Sequence, residues 1–214
     1  MNNTLENLNL VYTLDGKIYI NLTNKCSNNC LFCIRRVSEA IEGRNLWLKN
    51  EDFSAYDVIE QFKDVYKNNS GADEVVFCGF GEPLIKFDMF MEIAKFLKEN
   101  YENIKIRINT NGQANLINCR NVVPELAEYT DEISVSLNAE SKKVYNHCSL
   151  PKDKENAYQA VKDFISECVK NNIKTTATVV SGYKEAPVNI EECEKIANSL
   201  GAKFRVREWL PKGY

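Results

Sequence analysis

Short runs in which apolar and polar residues alternate recur along this chain. Between them lie stretches whose apolar residues fall at i, i+3, i+4 and i+7. The first run, "LVYTLDGKIYINLT" (10–23), has two alternating arms about Asp15-Gly16, a dipeptide that favours a type I′ hairpin turn. Further strands are predicted at "EVVFCGFG" (74–81), "IKIRINTNG" (104–112), "EISVSLNA" (132–139), "KTTATVVSG" (174–182) and "KFRVREWLP" (203–211). Helical periodicity marks "SAYDVIEQFKDVYKNN" (54–69), "FDMFMEIAKFLKENY" (87–101), "NAYQAVKDFISECVKNN" (156–172) and "IEECEKIANSLG" (190–201). The last of these stops at Gly201, as a helix C-terminus should. Strands spaced about 30 residues apart with helices between them are repeated βα units, which require a mainly parallel sheet. No Pro/Ser-rich linker or low-complexity stretch interrupts them, so a single domain over residues 1–214 is expected.

The faces of the strands carry more information. Parallel strands buried on both faces read as continuous Val, Ile and Leu. These alternate instead. Ile18, Ile20 and Leu22 oppose Tyr19, Asn21 and Thr23; Ile104, Ile106 and Ile108 oppose Lys105, Arg107 and Asn109. Ile133, Val135 and Leu137 oppose Ser134, Ser136 and Asn138, and Phe204 and Val206 oppose Arg205, Arg207 and Trp209. Crossover helices must cover the apolar face, so the polar face lines something other than a dry core. A flat sheet with one solvated side satisfies this pattern. So does a curved, partly closed barrel with a polar lumen, and that is the architecture expected here. The predicted fold is α/β, a partial (βα)6 TIM-like barrel of mainly parallel strands with an N-terminal hairpin strand. Six units are too few to close an eight-stranded barrel, so the mouth should be wide. Arg107, Arg205 and Arg207 on the lumen face would attract an anionic group, a carboxylate or phosphate.

Composition narrows the function classes. Hydrophobic content of 44% with 27% charged residues is ordinary for a soluble globular protein. A net charge of −3 gives no general attraction to nucleic acid or anionic membrane. No apolar run approaches the roughly 18 residues of a membrane span, and "MNNTLENLNLVYTL" lacks the basic and apolar regions of a signal peptide. A cytoplasmic location is therefore expected. There, eight cysteines point to metal, chemistry or core filling rather than disulfides.

Three of those cysteines stand close together in "NKCSNNCLFCIRR" (24–36), as Cys26, Cys30 and Cys33 with C-x3-C-x2-C spacing. They follow the first parallel strand, in the βα loop at the barrel mouth, where such folds keep their chemistry. A structural zinc site needs four ligands, usually as two close pairs. The only histidine, His147, and the nearest other cysteine, Cys78, are distant in sequence, and folding would have to bring one of them in. A [4Fe–4S] cube fits three thiolates better, leaving the fourth iron open to an exogenous ligand. The Asn- and Ser-rich loop itself is expected to be solvated and mobile without metal.

With these residues the sequence resembles the radical S-adenosylmethionine (SAM) enzymes, whose signature is C-x3-C-x-φ-C with φ aromatic; here Phe32 is φ. Further features follow in the family's order. "CGFGEPL" (78–84) looks like its GGEP motif with Phe80 in place of the first glycine, and "NTNG" (109–112) and "SVSLNA" (134–139) follow. "FRVREWLPKG" (204–213) resembles the equivalent segment of molybdopterin-biosynthetic members. "DGKIYINLTNKCSNNCLFCIRR" (15–36), "GFGEPL" (79–84) and "SVSLNAESKKVYNHCSLP" (134–151) are most similar to the short TatD-associated members.

The resemblance implies a [4Fe–4S] cluster on Cys26, Cys30 and Cys33 whose open iron is chelated by SAM. One-electron reduction cleaves SAM to methionine and a 5′-deoxyadenosyl radical, which abstracts hydrogen from a substrate. Phe32 would lie by the adenine. Gly81 and the backbone of Gly79–Glu82 would bind the methionine ammonium, with Glu82 adding a charge-assisted bond or bracing the loop. Ser136 with Asn138 would reach the ribose hydroxyls or the carboxylate, and Asn109 and Asn111 would lie nearby. A one-electron reductant such as flavodoxin or ferredoxin and a link to a TatD-family hydrolase are the implied partners. The substrate is open between a peptide or protein and a small anionic molecule, and activation of a glycyl-radical enzyme is one possibility. The rival classes are an iron–sulfur electron-transfer or sensing protein that never cleaves SAM, and a zinc-stabilised binding module. Cys119, Cys168 and Cys193 read as core or surface thiols, Arg35-Arg36 as an exposed basic pair, and Cys78, Cys148 and His147 have no assigned role.

Overall fold

The computed structural model describes residues 8–41 and 43–210. The reading of residues 1–7 as a start without a leader, and of the last strand's end at Pro211, lies outside them. Strands β1 (Val11–Leu14) and β2 (Lys17–Ile20) form the predicted hairpin. Asp15 and Gly16 take φ of +49° and +72°, the two positive values a type I′ turn demands. A two-residue ribbon, β3 (Ala40–Ile41) and β4 (Arg44–Asn45), follows the cysteine loop. The βα repeat then runs through α1 (Ala55–Lys67), β5 (Glu74–Phe77), α2 (Phe87–Asn100) and β6 (Lys105–Thr110). It continues with α3 (Ala114–Ile117), α4 (Val123–Tyr129), β7 (Glu132–Ser136), α5 (Lys142–Ser149), α6 (Ala157–Lys170), β8 (Lys174–Ser181), α7 (Ile190–Ser199) and β9 (Lys203–Glu208).

The main sheet has the order β1-β2-β5-β6-β7-β8-β9. β1 pairs antiparallel with β2, and every later pair is parallel, with registers such as Ile20↔Phe77 and Phe77↔Ile108. Among the described residues β9 does not pair back to β1, so the curve stays open on one side. The apolar strand faces pack under the helices in one cluster that extends from Leu8 to Ala202. Phe77 meets Phe90 of α2 edge-on at 4.6 Å, and Phe62 of α1 stacks on Tyr66. Truncating a fully buried ring such as Phe90 would cost about 3–5 kcal/mol. α1 begins with a capping box, Ser54 and Asp57 each satisfying the other's backbone N–H.

One strand departs from the expected pattern. The polar face of the first parallel strand is covered, Asn21 being 0% and Thr23 1% exposed. The chain around β3–β4 lies across it. Asn21 Nδ2 donates to Leu46 O at 2.8 Å, and Thr23 Oγ1 donates to Glu51 Oε2 at 2.8 Å. Tyr12, Leu46 and Phe80 form a second apolar cluster there, against which Tyr19 and Ile34 pack. The lumen is thus plugged beside β1 and β2 and open toward β6–β9.

Candidate active site

A cavity of about 230 Å³ lies at the C-terminal ends of the parallel strands. Cys26, Cys30, Cys33 and Phe32 reach it from the loop after β2, and Gly79, Gly81 and Glu82 from the loop after β5. Asn109 and Asn111 come from the end of β6, and Ser136 and Asn138 from the end of β7. All the residues read from sequence as cluster or SAM contacts therefore line one space. Cys78, Phe80, Val180, Arg207, Trp209 and Leu210 line it as well.

Contacts from three sides fix the cysteine loop, contrary to the expected mobile segment. Glu82 N donates to Lys25 O at 2.8 Å, which joins the glycine loop to the cysteine loop. A Cβ on Gly81 would overlap the carbonyls of Thr23 and Lys25, and one on Gly79 would overlap the Asn21 side chain. A side chain at 81 therefore displaces the cysteine loop itself, rather than excluding a ligand from an intact one. From α5 and its exit, Cys148 O accepts from Leu31 N at 2.9 Å, Ser149 O accepts from Asn29 N at 3.1 Å, and Lys152 N donates to Ser27 O at 2.9 Å. The basic pair is not a bystander. Arg35 donates to the carbonyls of Asn24, Asn28 and Phe80, and Arg36 to those of Cys30 (2.8 Å) and Asn29 (2.9 Å).

Behind the thiols stands a polar layer that sequence reasoning missed. Asn111 Nδ2 donates to Ser27 Oγ at 2.8 Å and approaches Cys26 Sγ at 3.6 Å, while Asn28 N donates to the same sulfur at 3.4 Å. Gln113 Nε2 donates to Asn28 Oδ1 (2.7 Å) and to Tyr145 Oη (3.0 Å), all three side chains being buried. The Ser149 hydroxyl accepts from Asn138 Nδ2 at 3.2 Å and lies 3.6 Å from Cys148 Sγ. Only the tertiary fold brings these residues together, and no spacing in the sequence marks them. Burial, and then the neighbouring Cys33 and Cys26, push the Cys30 thiol up to about 12. Burial followed by Glu82 raises Cys26. Glu82 braces its loop, accepting from Leu84 N (3.2 Å), Thr110 Oγ1 (2.8 Å) and Asn111 N (2.7 Å). Burial outweighs those three donors and pushes its carboxyl up to about 7.

The other candidates separate. His147 is exposed and its Nε2 lies 2.9 Å from Glu185 O, away from the cavity. Cys148, Cys168 and Cys193 are buried and Cys119 is exposed. Cys78 is the unassigned thiol that lines the cavity. The arginines expected together in the lumen do not stay together. Arg107 pairs with Glu74, which also takes Lys17, and Arg205 donates to Ser134 Oγ at 3.4 Å. Both line a different cavity, toward the N-terminal strand ends, and Arg207 alone of the three reaches the upper one.

The donor set fits the expected groups. Among the described residues no three His, Cys, Asp or Glu side chains converge as one bound ion would require. A [4Fe–4S] cube makes a different demand, one thiolate to each of three irons. The buried Asn138 Oδ1 has no hydrogen-bond donor, and its residue lines the cavity, as an acceptor for a ribose hydroxyl should.

Comparison with known proteins bears on the fold. A probable dual-specificity RNA methyltransferase RlmN from Caldanaerobacter subterraneus subsp. tengcongensis is 26% identical over 152 residues, 67% of this chain and 40% of the relative. Streptococcus suis SuiB bound to S-adenosylmethionine superposes with a TM-score of 0.64 at 21% identity, over 90% of this chain and 40% of SuiB. The FeFe-hydrogenase maturase HydG from Carboxydothermus hydrogenoformans gives 0.64 at 16% identity, over 90% and 44%. The chain thus spans less than half the length of each of these proteins. Residues 20–199 match the radical SAM superfamily as a whole, and the chain belongs to that superfamily.

Proposed function

We propose that this chain is the catalytic core of a radical SAM enzyme, with Cys26, Cys30 and Cys33 holding a [4Fe–4S] cluster. When bound, the cluster supplies the electron that cleaves SAM, and the resulting 5′-deoxyadenosyl radical takes hydrogen from the substrate. The chain's own residues orient and enclose. The backbone of Gly79–Glu82 receives the methionine ammonium, close to the cysteine loop that the same segment grips through Glu82 N. Ser136 and the free Asn138 Oδ1 take up the ribose hydroxyls or carboxylate, and Asn109 and Asn111 complete the wall. Phe32 sets its apolar ring against the adenine, and with Val180 and Trp209 keeps water out. Asn111 and the Asn28 backbone N–H stabilise negative charge on Cys26 sulfur.

The observation that carries this reading is that cysteines, glycine loop and polar strand ends from four successive βα units all border one cavity. A TatD-associated role, a flavodoxin- or ferredoxin-class reductant and a cytoplasmic setting that keeps its thiols reduced complete the proposal. Anaerobic reconstitution with iron and sulfide tests it. About four irons per chain are expected, with a reduced-state electron paramagnetic resonance spectrum that changes when SAM is added. A cluster whose spectrum ignores SAM would make this an electron-transfer or sensing protein, and a colourless zinc protein would remove the cluster altogether.

A further inference from the structure

Arg207 is the cation that lines the upper cavity, and among the described residues it forms no ion pair. It stands on β9, five strands along the sheet from β2, so it faces the cysteine loop from across the lumen. Its Nε is buried and has no hydrogen-bond partner. The carboxylates nearby do not serve it. Glu82 is occupied by its three donors, and Glu208, which borders the same cavity, makes no ion pair with it among the described residues. Arg107 shows what a satisfied lumen arginine looks like in this fold, paired with Glu74 and donating to Asn109 Oδ1 at 2.9 Å. Leaving a guanidinium N–H buried without an acceptor is costly. Such a donor is expected to meet its acceptor on a bound molecule. Val180 and Trp209 border the same cavity, and their apolar surface would strengthen an ion pair formed there.

We propose that Arg207 binds an oxyanion of the substrate, so that the molecule attacked by the radical presents a carboxylate or phosphate to the far wall of the cavity. This rests on the radical SAM reading of the site. It also narrows that reading, because Arg107 and Arg205 are engaged elsewhere and one guanidinium does the recognition. SAM carries a carboxylate too. Under the proposed function that group is held at the cysteine loop or by Ser136 and Asn138 at the end of β7, and not by β9.

The test uses the reconstituted holoenzyme saturated with SAM, as wild type, Arg207→Lys and Arg207→Gln. Acetate and inorganic phosphate are titrated calorimetrically at constant ionic strength. The wild type should bind at least one of them with one site per chain. Arg207→Gln should weaken that binding by about tenfold or more, the scale of a lost charge-assisted hydrogen bond, and Arg207→Lys should fall between. Binding of neither anion by the wild type, or binding unchanged in Arg207→Gln, overturns the proposal. SAM and decarboxylated SAM are then compared on wild type and Arg207→Gln. Equal effects on the two support a substrate oxyanion, whereas a loss confined to SAM assigns Arg207 to the cofactor's carboxylate and overturns it. Iron content and visible absorbance equal to wild type show that the variants are folded and loaded. A wild type that takes up no cluster would fail the underlying reading instead, a result distinct from any anion titration.

Discussion

At the scale of single residues, the most unusual group is Glu82. Its motif position pointed to a contact with the ammonium of SAM or to a brace, and the structure makes it a brace that is fully enclosed. A carboxyl raised from 4.5 to about 7 keeps in the folded chain a proton that the unfolded chain has released. Its contribution to stability is therefore present below about pH 4.5 and is lost as pH rises through 7, by about 3 kcal/mol at most. Glu82→Gln removes this titration and sets an amide N–H₂ against the backbone or hydroxyl donors, a loss of about 1–3 kcal/mol. Urea unfolding should find the variant less stable than wild type at pH 5, with the gap narrowing toward pH 7.5. A gap that widens with pH would contradict the assignment. The cysteines and the glycine loop that border the cavity were legible because a short motif fixes them within their own loops. Asn28, Gln113, Tyr145 and Ser149 were not, since their role exists only where α5, the β6 exit and the cysteine loop meet.

At the scale of elements, the alternating faces predicted the six parallel strands and the hairpin, and helical periodicity predicted the long crossover helices. The short pieces escaped. α3 and α4 are only 4 and 7 residues long, too brief for a periodic signal, and β3–β4 contributes two residues to each strand. That ribbon region explains why the polar face of β2 is covered, a tertiary event with no counterpart in the strand's own pattern. The cysteine loop shows the same limit. Its composition reads as mobile, but Arg36 from the 3₁₀ turn at Ile34–Arg36 folds back on its carbonyls. Arg36→Ala should leave the chain folded and speed loss of the cluster to a chelator by roughly fivefold, the scale of about 1 kcal/mol of hydrogen bonding at a surface. Arg120→Ala, which removes an exposed pair with Glu125 far along the chain, should not. Equal chelator rates in wild type and Arg36→Ala would mean that the loop is fixed by its other contacts.

At the scale of the whole molecule, the sheet runs in one order from β1 to β9 and does not close, and its two ends carry different work. The β2–β5 end supplies the cysteines and the glycine loop; the β7–β9 end supplies Ser136, Asn138 and Arg207. Under the proposed function SAM reaches from the cysteine loop to the β7 exit, and the proposed substrate oxyanion meets Arg207 on β9. That polar side chains from β6, β7 and β9 face the lumen was readable from alternation. How it divides was not, because the pairing of Arg107 with Glu74 depends on which layer of the barrel each residue occupies. The most direct test of the central claim is anaerobic. The reconstituted protein is reduced, given SAM, and assayed for 5′-deoxyadenosine beside a Cys30→Ala control. The account predicts 5′-deoxyadenosine from the wild type and none above background from the control. A four-iron wild type that yields no more than Cys30→Ala would contradict it.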